Sequence, residues 1–277
     1  MFIDTHCHPY SQKQKNLTEV FSNFQKLGGK HMVCIGTHNE TSKKAIEFAK
    51  QYDFISATIG VHPCEVKYDT ESLPYFREIV EQKKDKIELI GTLEELLLAN
   101  KDYIVGLGET GLDYYHNDDP DLKIVQQAYF EAHIELGKKY NLPIIIHNRD
   151  SKDDVLKILQ KTECTNFIFH CFSEDLEYAK KLIKLSPNCK ISFSGIVTFK
   201  NAPATQEVAT HIPLKNILVE TDAPYLTPVP YRGKEENEPG FTKYVLEKII
   251  ELRSEPREEI IETIYNNSCE VFGLKNV

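Results

Sequence analysis

Eight short apolar runs recur along the chain, and a stretch with helically spaced apolar residues follows each of the others before the next begins. The runs lie at residues 2–7, 31–36, 54–61, 103–108, 143–146, 166–169, 189–194 and 216–220. Apolar runs of this length, closed by Gly, Pro or Asn, are the pattern of buried strands. Helical stretches are expected at 17–27, 40–52, 73–83, 93–99, 123–140, 152–160, 176–185 and 205–210, with a charged linker at 83–88. Two more, at 242–252 and 256–272, close the chain. Strands that alternate with helices pair in parallel, and eight such units are enough to close a barrel. The expected fold is α/β, a single (β/α)8 TIM-type barrel with extra C-terminal helices and one domain over residues 1–277. The length of 277 residues fits, since such barrels run to about 250. Residues 225–240, polar and rich in Pro and Glu, read as a surface or lid element.

Composition narrows the class of protein. No apolar run approaches the roughly 20 residues that span a membrane, so no membrane partner is expected. Met1 leads straight into Phe2-Ile3-Asp4-Thr5-His6 without a basic or long apolar leader, so no signal peptide is expected. Seven cysteines, without a CxxC pair, read as reduced thiols. An intracellular, cytoplasmic protein is expected, with the nucleus as the other compartment. The formal net charge of −9 argues against broad electrostatic binding to a polyanion, although bound cations would reverse the sign inside a local cleft. Nothing points to an obligate protein partner, and a monomer is expected.

The ends of the strands carry the chemistry. Strand one ends in His6-Cys7-His8, where residues two apart point to the same side, so both imidazoles aim one way and Cys7 the other. Strand four ends at Glu109, between Gly108 and Gly111. Strand five ends at His147, strand six at His170 and strand eight at Asp222. Barrel active sites lie at this C-terminal end. Six donors of imidazole nitrogen and carboxylate oxygen would therefore gather in one small volume, suited to Zn, Mn or Mg. Six are too many for one tetrahedral ion and suit two divalent ions that share a carboxylate. Glu109 is the natural bridge, with His6, His8 and Asp222 at one ion and His147 with His170 at the other. Two metals about 3.5–4 Å apart clamp the attacking and leaving oxygens of a phosphoryl displacement, and Asp222 is placed to orient and deprotonate the attacking water. A second reading makes Glu109 only the cap of the next helix. Cys7 and Cys171 read as small apolar fillers.

Six segments then resemble one family. They are Phe2-Ile3-Asp4-Thr5-His6-Cys7-His8, Gly60-Val61-His62-Pro63, Gly108-Glu109-Thr110-Gly111-Leu112-Asp113-Tyr114, Ile146-His147-Asn148-Arg149, His170-Cys171-Phe172-Ser173 and Glu220-Thr221-Asp222-Ala223-Pro224-Tyr225-Leu226. Their sequence and order resemble the TatD-like metal-dependent deoxyribonucleases of the amidohydrolase-type barrel superfamily. The late stretch Arg232-Gly233 and Asn237-Glu238-Pro239 is similar as well. The resemblance implies hydrolysis of DNA phosphodiesters with divalent metal, as a 3′→5′ exonuclease on single strands or 3′ ends. It implies metal-ligand roles for His6, His8, Glu109, His147, His170 and Asp222, and phosphate contacts for His62 and Arg149. His62 could instead bond locally beside Pro63, and Arg149 could pair with Asp150 or Asp153. Two departures bear on substrate. Glu174 stands where the family commonly has glycine, and residues 66–104 read as an insertion beside the groove. A metal-dependent amidohydrolase, lactonase or phosphoesterase acting on a small molecule is the competing function.

Overall fold

The computed structural model describes residues 1–82, 85–116 and 118–275. Its eight strands are β1 Phe2–Cys7, β2 Gly29–Cys34, β3 Ile55–Ile59, β4 Ile104–Asp113, β5 Ile144–Arg149, β6 Phe167–Phe169, β7 Lys190–Phe193 and β8 Ile217–Val219. They form one parallel sheet in chain order. After β8 the chain returns to β1: Asp222 N–H donates to His6 O at 2.8 Å and His8 N–H to Ala223 O at 2.7 Å. This is the (β/α)8 barrel topology expected. The strands are largely buried on both faces because helices cover a sheet of this kind.

Ten α-helices alternate with and follow these strands among the described residues. They are α1 Leu17–Lys26, α2 Asn39–Gln51, α3 Leu73–Val80, α4 Gly91–Ala99, α5 Pro120–Tyr140, α6 Lys152–Lys161, α7 Leu176–Leu185, α8 Pro203–His211, α9 Thr242–Leu252 and α10 Arg257–Phe272. Local chemistry sets their ends. Asn16, Asp119 and Asp175 cap α1, α5 and α7 with side-chain oxygens, and α5 stops at Asn141 in the left-handed region, φ +54°. The first two residues of the expected 83–88 linker lie outside the described residues, and Ile87–Ile90 forms a 3-10 turn.

Contacts divide the chain into two compact units. The first holds residues 1–34, 48–56 and 169–277, and the second 35–47 and 57–168. In the second, the 66–104 segment is anchored to α5. Val66, Phe76 and Ile79 pack against Val125 and Ala128, and Lys86 and Lys161 both reach the buried Glu131 at 2.7 Å. In the first, only the end of the expected lid, residues 237–240, is buried, with Asn237 0% exposed, while residues 232–235 are exposed. Its polar residues have partners: Asn237 donates to Thr221 O and Tyr225 O, while Lys15 pairs with Glu235 and Glu238. Its acids are paired, Glu238 in a buried position and Glu235 at the surface, so the end of the segment is a strap fixed to the chain before α1.

Two expectations about strand ends are corrected. β4 does not stop at Gly108 but continues through Glu109 to Asp113, and β5 runs past His147 to Arg149. Glu109 therefore caps no helix, and Asp119 does that for α5. The glycines that read as breaks serve close approach. Gly108 (φ +138°) and Gly111 (φ +129°) hold conformations that side chains rarely adopt, and a Cβ there would meet Ile145 O at 2.6 Å and His147 O at 2.1 Å.

Candidate metal centre

In the first unit, β1 and the turn after β8 bring three donors together. His6 Nε2 lies 3.2 Å from His8 Nε2, and the two lie 3.6 Å and 3.4 Å from Asp222 Oδ1. Ligands about 2.0–2.1 Å from a tetrahedral ion stand about 3.3 Å apart, so these spacings fit a divalent cation. His8 Nδ1 meets Tyr10 OH at 2.9 Å, which leaves Nε2 as the atom turned to the group. Asp222 holds φ +58°, a left-handed conformation that Asp tolerates better than most residues. Burial opposes its ionisation, but the hydrogen bond with His8 and the charges of His6, His8 and His170 outweigh it and hold the carboxyl below its ordinary range.

His170, expected beside His147, stacks on His6 with ring centroids 4.0 Å apart. Its Nδ1 lies 3.4 Å from Glu220 Oε1, which also accepts Cys171 N–H at 2.7 Å. Cys171 is half-buried with its Sγ 3.2 Å from Ser194 Oγ, so it is not the apolar filler expected. Cys7 is fully buried, as that reading requires. Asp4, which sequence reading missed, ties β1 to the turn after β8. Its carboxylate accepts from Thr221 Oγ1 at 2.6 Å, Thr221 N at 2.9 Å and His6 N at 3.3 Å. Burial pushes the Asp4 carboxyl up to about 8.

In the second unit, β4 and β5 set Glu109 Oε1 2.9 Å from His147 Nδ1. The other ring nitrogen, Nε2, faces Asp113 Oδ2 at 3.2 Å. A histidine that gives one N–H to a carboxylate is oriented to ligate a cation through the other nitrogen, so Nδ1 and Glu109 could hold a cation between them. Burial alone would raise the Asp113 carboxyl. Bonds from His147 and from the His116 backbone and ring outweigh it and hold Asp113 well below the usual carboxylate range. Gln126 fixes its backbone, accepting from Asp113 N and donating to Asp113 O.

His62 Nε2 also lies near Glu109, at 3.3 Å. Its Nδ1 accepts the Cys64 backbone N–H at 3.1 Å, so the ring proton of the neutral form sits on Nε2. His62 is therefore a hydrogen-bond donor in this group, and its local bond beside Pro63 is what makes it one. Arg149 is exposed, and its guanidinium stacks on the Tyr115 ring at 4.0 Å. Among the described residues it pairs with neither Asp150 nor Asp153.

A family profile described as TatD related DNase matches residues 3–273. The chain belongs to this TatD family. It is 37% identical to the metal-dependent hydrolase YabD of Bacillus subtilis (strain 168), over 99% of this chain and 100% of that one. It is 35% identical to the metal-dependent hydrolase YcfH of Escherichia coli (strain K12), over 98% and 96%. Among solved structures, the TatD homologue YjjV of Escherichia coli K12 superposes with a TM-score of 0.80 at 27% identity, covering 99% of this chain and 98% of its own. A TatD family hydrolase of Entamoeba histolytica shares the fold, with a TM-score of 0.77 at 20% identity over 98% and 97%. This TatD family member is thus a metal-dependent hydrolase, with donor groups whose chemistry fits divalent cations.

One histidine away from these groups fixes a loop of the site. His133 of α5 donates from Nδ1 to Tyr129 O at 2.7 Å and accepts Val61 N–H on Nε2 at 3.1 Å, which holds the chain leading into His62. Burial lowers its pKa to about 4 from 6.5. The folded pKa lies below the unfolded one, so this stability is present above about pH 6.5 and is lost as pH falls toward 4. At pH 5 the loss is about 2 kcal/mol. Thermal melts of the metal-stripped TatD chain at pH 7.5 and 5.0 should show His133→Gln less sensitive to acid than wild type. Parallel pH profiles would contradict the assignment.

Proposed function

We propose that the chain is a deoxyribonuclease that hydrolyses phosphodiesters of single-stranded DNA or 3′ ends, as a 3′→5′ exonuclease. The observation that carries this reading is the duplicated donor set. A carboxylate with histidines occurs in each unit, around Asp222 and around Glu109, as a reaction using two divalent ions (Mg, Mn or Zn) requires. Such cations, when bound, polarise the phosphoryl oxygen and lower the pKa of water from about 16 toward about 7.

The side chains of this protein supply the rest. Asp222 orients the attacking water and takes its proton. His62 offers Nε2–H to a phosphate oxygen, and the Arg149 guanidinium suits a second one. Tyr115 and Tyr225 are 61% and 58% exposed, and unstacked bases bind on such rings. Tyr115 lies under Arg149, and Tyr225 has its centroid 6.3 Å from that of His8. These exposed rings favour single strands over a duplex, where bases are already stacked. The net charge of −9 fits local contacts of this kind rather than a broad basic face.

The reading is tested with end-labelled single- and double-stranded oligonucleotides and Mg, Mn or Zn. Shortening from the 3′ end of the single strand is expected, and an unchanged ladder with all three metals would refute it. Arg149→Ala should raise KM on the order of 10-fold with a smaller change in kcat, the pattern of a lost binding contact. The salt dependence of binding should fall by about 0.7 in slope, one phosphate contact on a single strand. An unchanged KM and slope would remove Arg149 from the substrate site.

A further inference from the structure

We propose that Cys64, Asp113 and His116 form a separate binding site for a thiophilic divalent cation of the zinc class, beside but chemically distinct from the hydrolase ligands. Cys64 is the exposed member of seven free cysteines, and it stands in the Pro63–Glu65 turn with its backbone N–H held by His62. Its Sγ lies 3.5 Å from Asp113 Oδ2, and His116 Nδ1 lies 2.8 Å from the same oxygen. One sulfur, one nitrogen and one oxygen donor thus stand within 4.8 Å of one another. Ligands of a tetrahedral zinc ion with a thiolate stand about 3.3–3.8 Å apart, so closing the trio takes about 1 Å of side-chain movement.

The electrostatics favour a cation here. Asp113 is buried, and its Oδ2 faces Cys64, His116 and His147. The carboxylates of Asp113, Glu109 and Glu65 lie around the Cys64 sulfur. Those charges disfavour a free thiolate but would draw in a divalent ion, which then binds the sulfur and releases the thiol proton to solvent. The donor set also selects the metal. Thiolate with imidazole suits zinc or cobalt and excludes magnesium, which prefers oxygen alone. Asp113 Oδ2 also holds His147, so an ion in the trio competes for the carboxylate that orients a hydrolase ligand.

Cobalt is the probe, because sulfur bound to Co2+ gives a near-ultraviolet charge-transfer absorption that nitrogen and oxygen ligands do not. The full chain, stripped of metal, is titrated with Co2+, with circular dichroism to confirm that each variant is folded. Wild type is expected to develop the sulfur absorption to a defined end point, and Cys64→Ser should abolish it. His116→Ala should require at least 10-fold more cobalt, and Cys171→Ser should leave the absorption intact. A wild type without the absorption, a Cys64→Ser variant that keeps it, or a His116→Ala variant that titrates like wild type would overturn the site. The readout does not depend on cleavage of DNA, so it fails or succeeds independently of the nuclease reading.

Discussion

Asp222→Asn is expected to lower kcat on a single-stranded oligonucleotide by about 10²–10⁴-fold, the usual contribution of a general base. Asparagine keeps the outline of the side chain and tolerates the left-handed backbone that Asp222 adopts. The bonds that fix the turn come from the backbone, Asp222 N–H to His6 O and Tyr225 N–H to Asp222 O, and they survive the change. What is lost is a carboxylate held below its ordinary range and so charged at neutral pH, the form a general base needs. Because substrate is held elsewhere, by His62 and Arg149 in this reading, KM should move little. The measurement is single-turnover and steady-state cleavage at saturating metal, with circular dichroism as the check on folding. A variant with wild-type kcat would remove Asp222 from the chemistry. A wild type that leaves oligonucleotides intact yet hydrolyses an amide, a lactone or a small phosphate ester would replace the nuclease with the competing function.

Glu109→Ala is expected to weaken cation binding by more than about 100-fold, the upper end of what is lost when merely supporting partners of a ligand are removed. Glu109 is 4% exposed, and its Oε1 lies 2.9 Å from His147 Nδ1, so its removal leaves that nitrogen facing a buried gap. If Glu109 is shared by two ions, as its place among the sequence motifs suggests, equilibrium dialysis with metal analysis should show both ions lost together. One ion lost and one retained at full occupancy would contradict the bridge. Glu109→Gln separates charge from shape. It can still hydrogen-bond to His147, so retention of metal by this variant would show that the charge is dispensable.

The candidate ligands stand out in the sequence because their signal is local: an acid or imidazole just where an apolar run ends. His6, His8, Glu109, His147, His170 and Asp222 all carry that signal, and β/α alternation gave the barrel for the same reason. The residues that hold the ligands in place were not legible. Asp113 lies four residues past Glu109, beyond the point where Gly108 and Gly111 read as the end of a strand. Those glycines instead allow β4 to lie against β5, and the strand continues far enough to place Asp113 on His147. Asp4 gave no signal because its partner, Thr221, lies 217 residues away. His62 shows the limit from the other side. The resemblance implies a phosphate contact and the residues beside it a local bond, and the structure shows the local bond on Nδ1, which leaves Nε2–H as a donor.

The bond between Asp4 and Thr221 also bears on how the protein is made. Translation at about 5–20 residues per second separates the two residues by roughly 10–40 s. Over that interval His6 and His8 have left the ribosome, but Asp222 and the Asp4–Thr221 link do not yet exist. The donors around Glu109, all within residues 57–168, are complete long before. If the first unit holds a cation, its capture is thereby deferred until β8 is made, and a nascent chain interrupted before β8 carries the two histidines without Asp222.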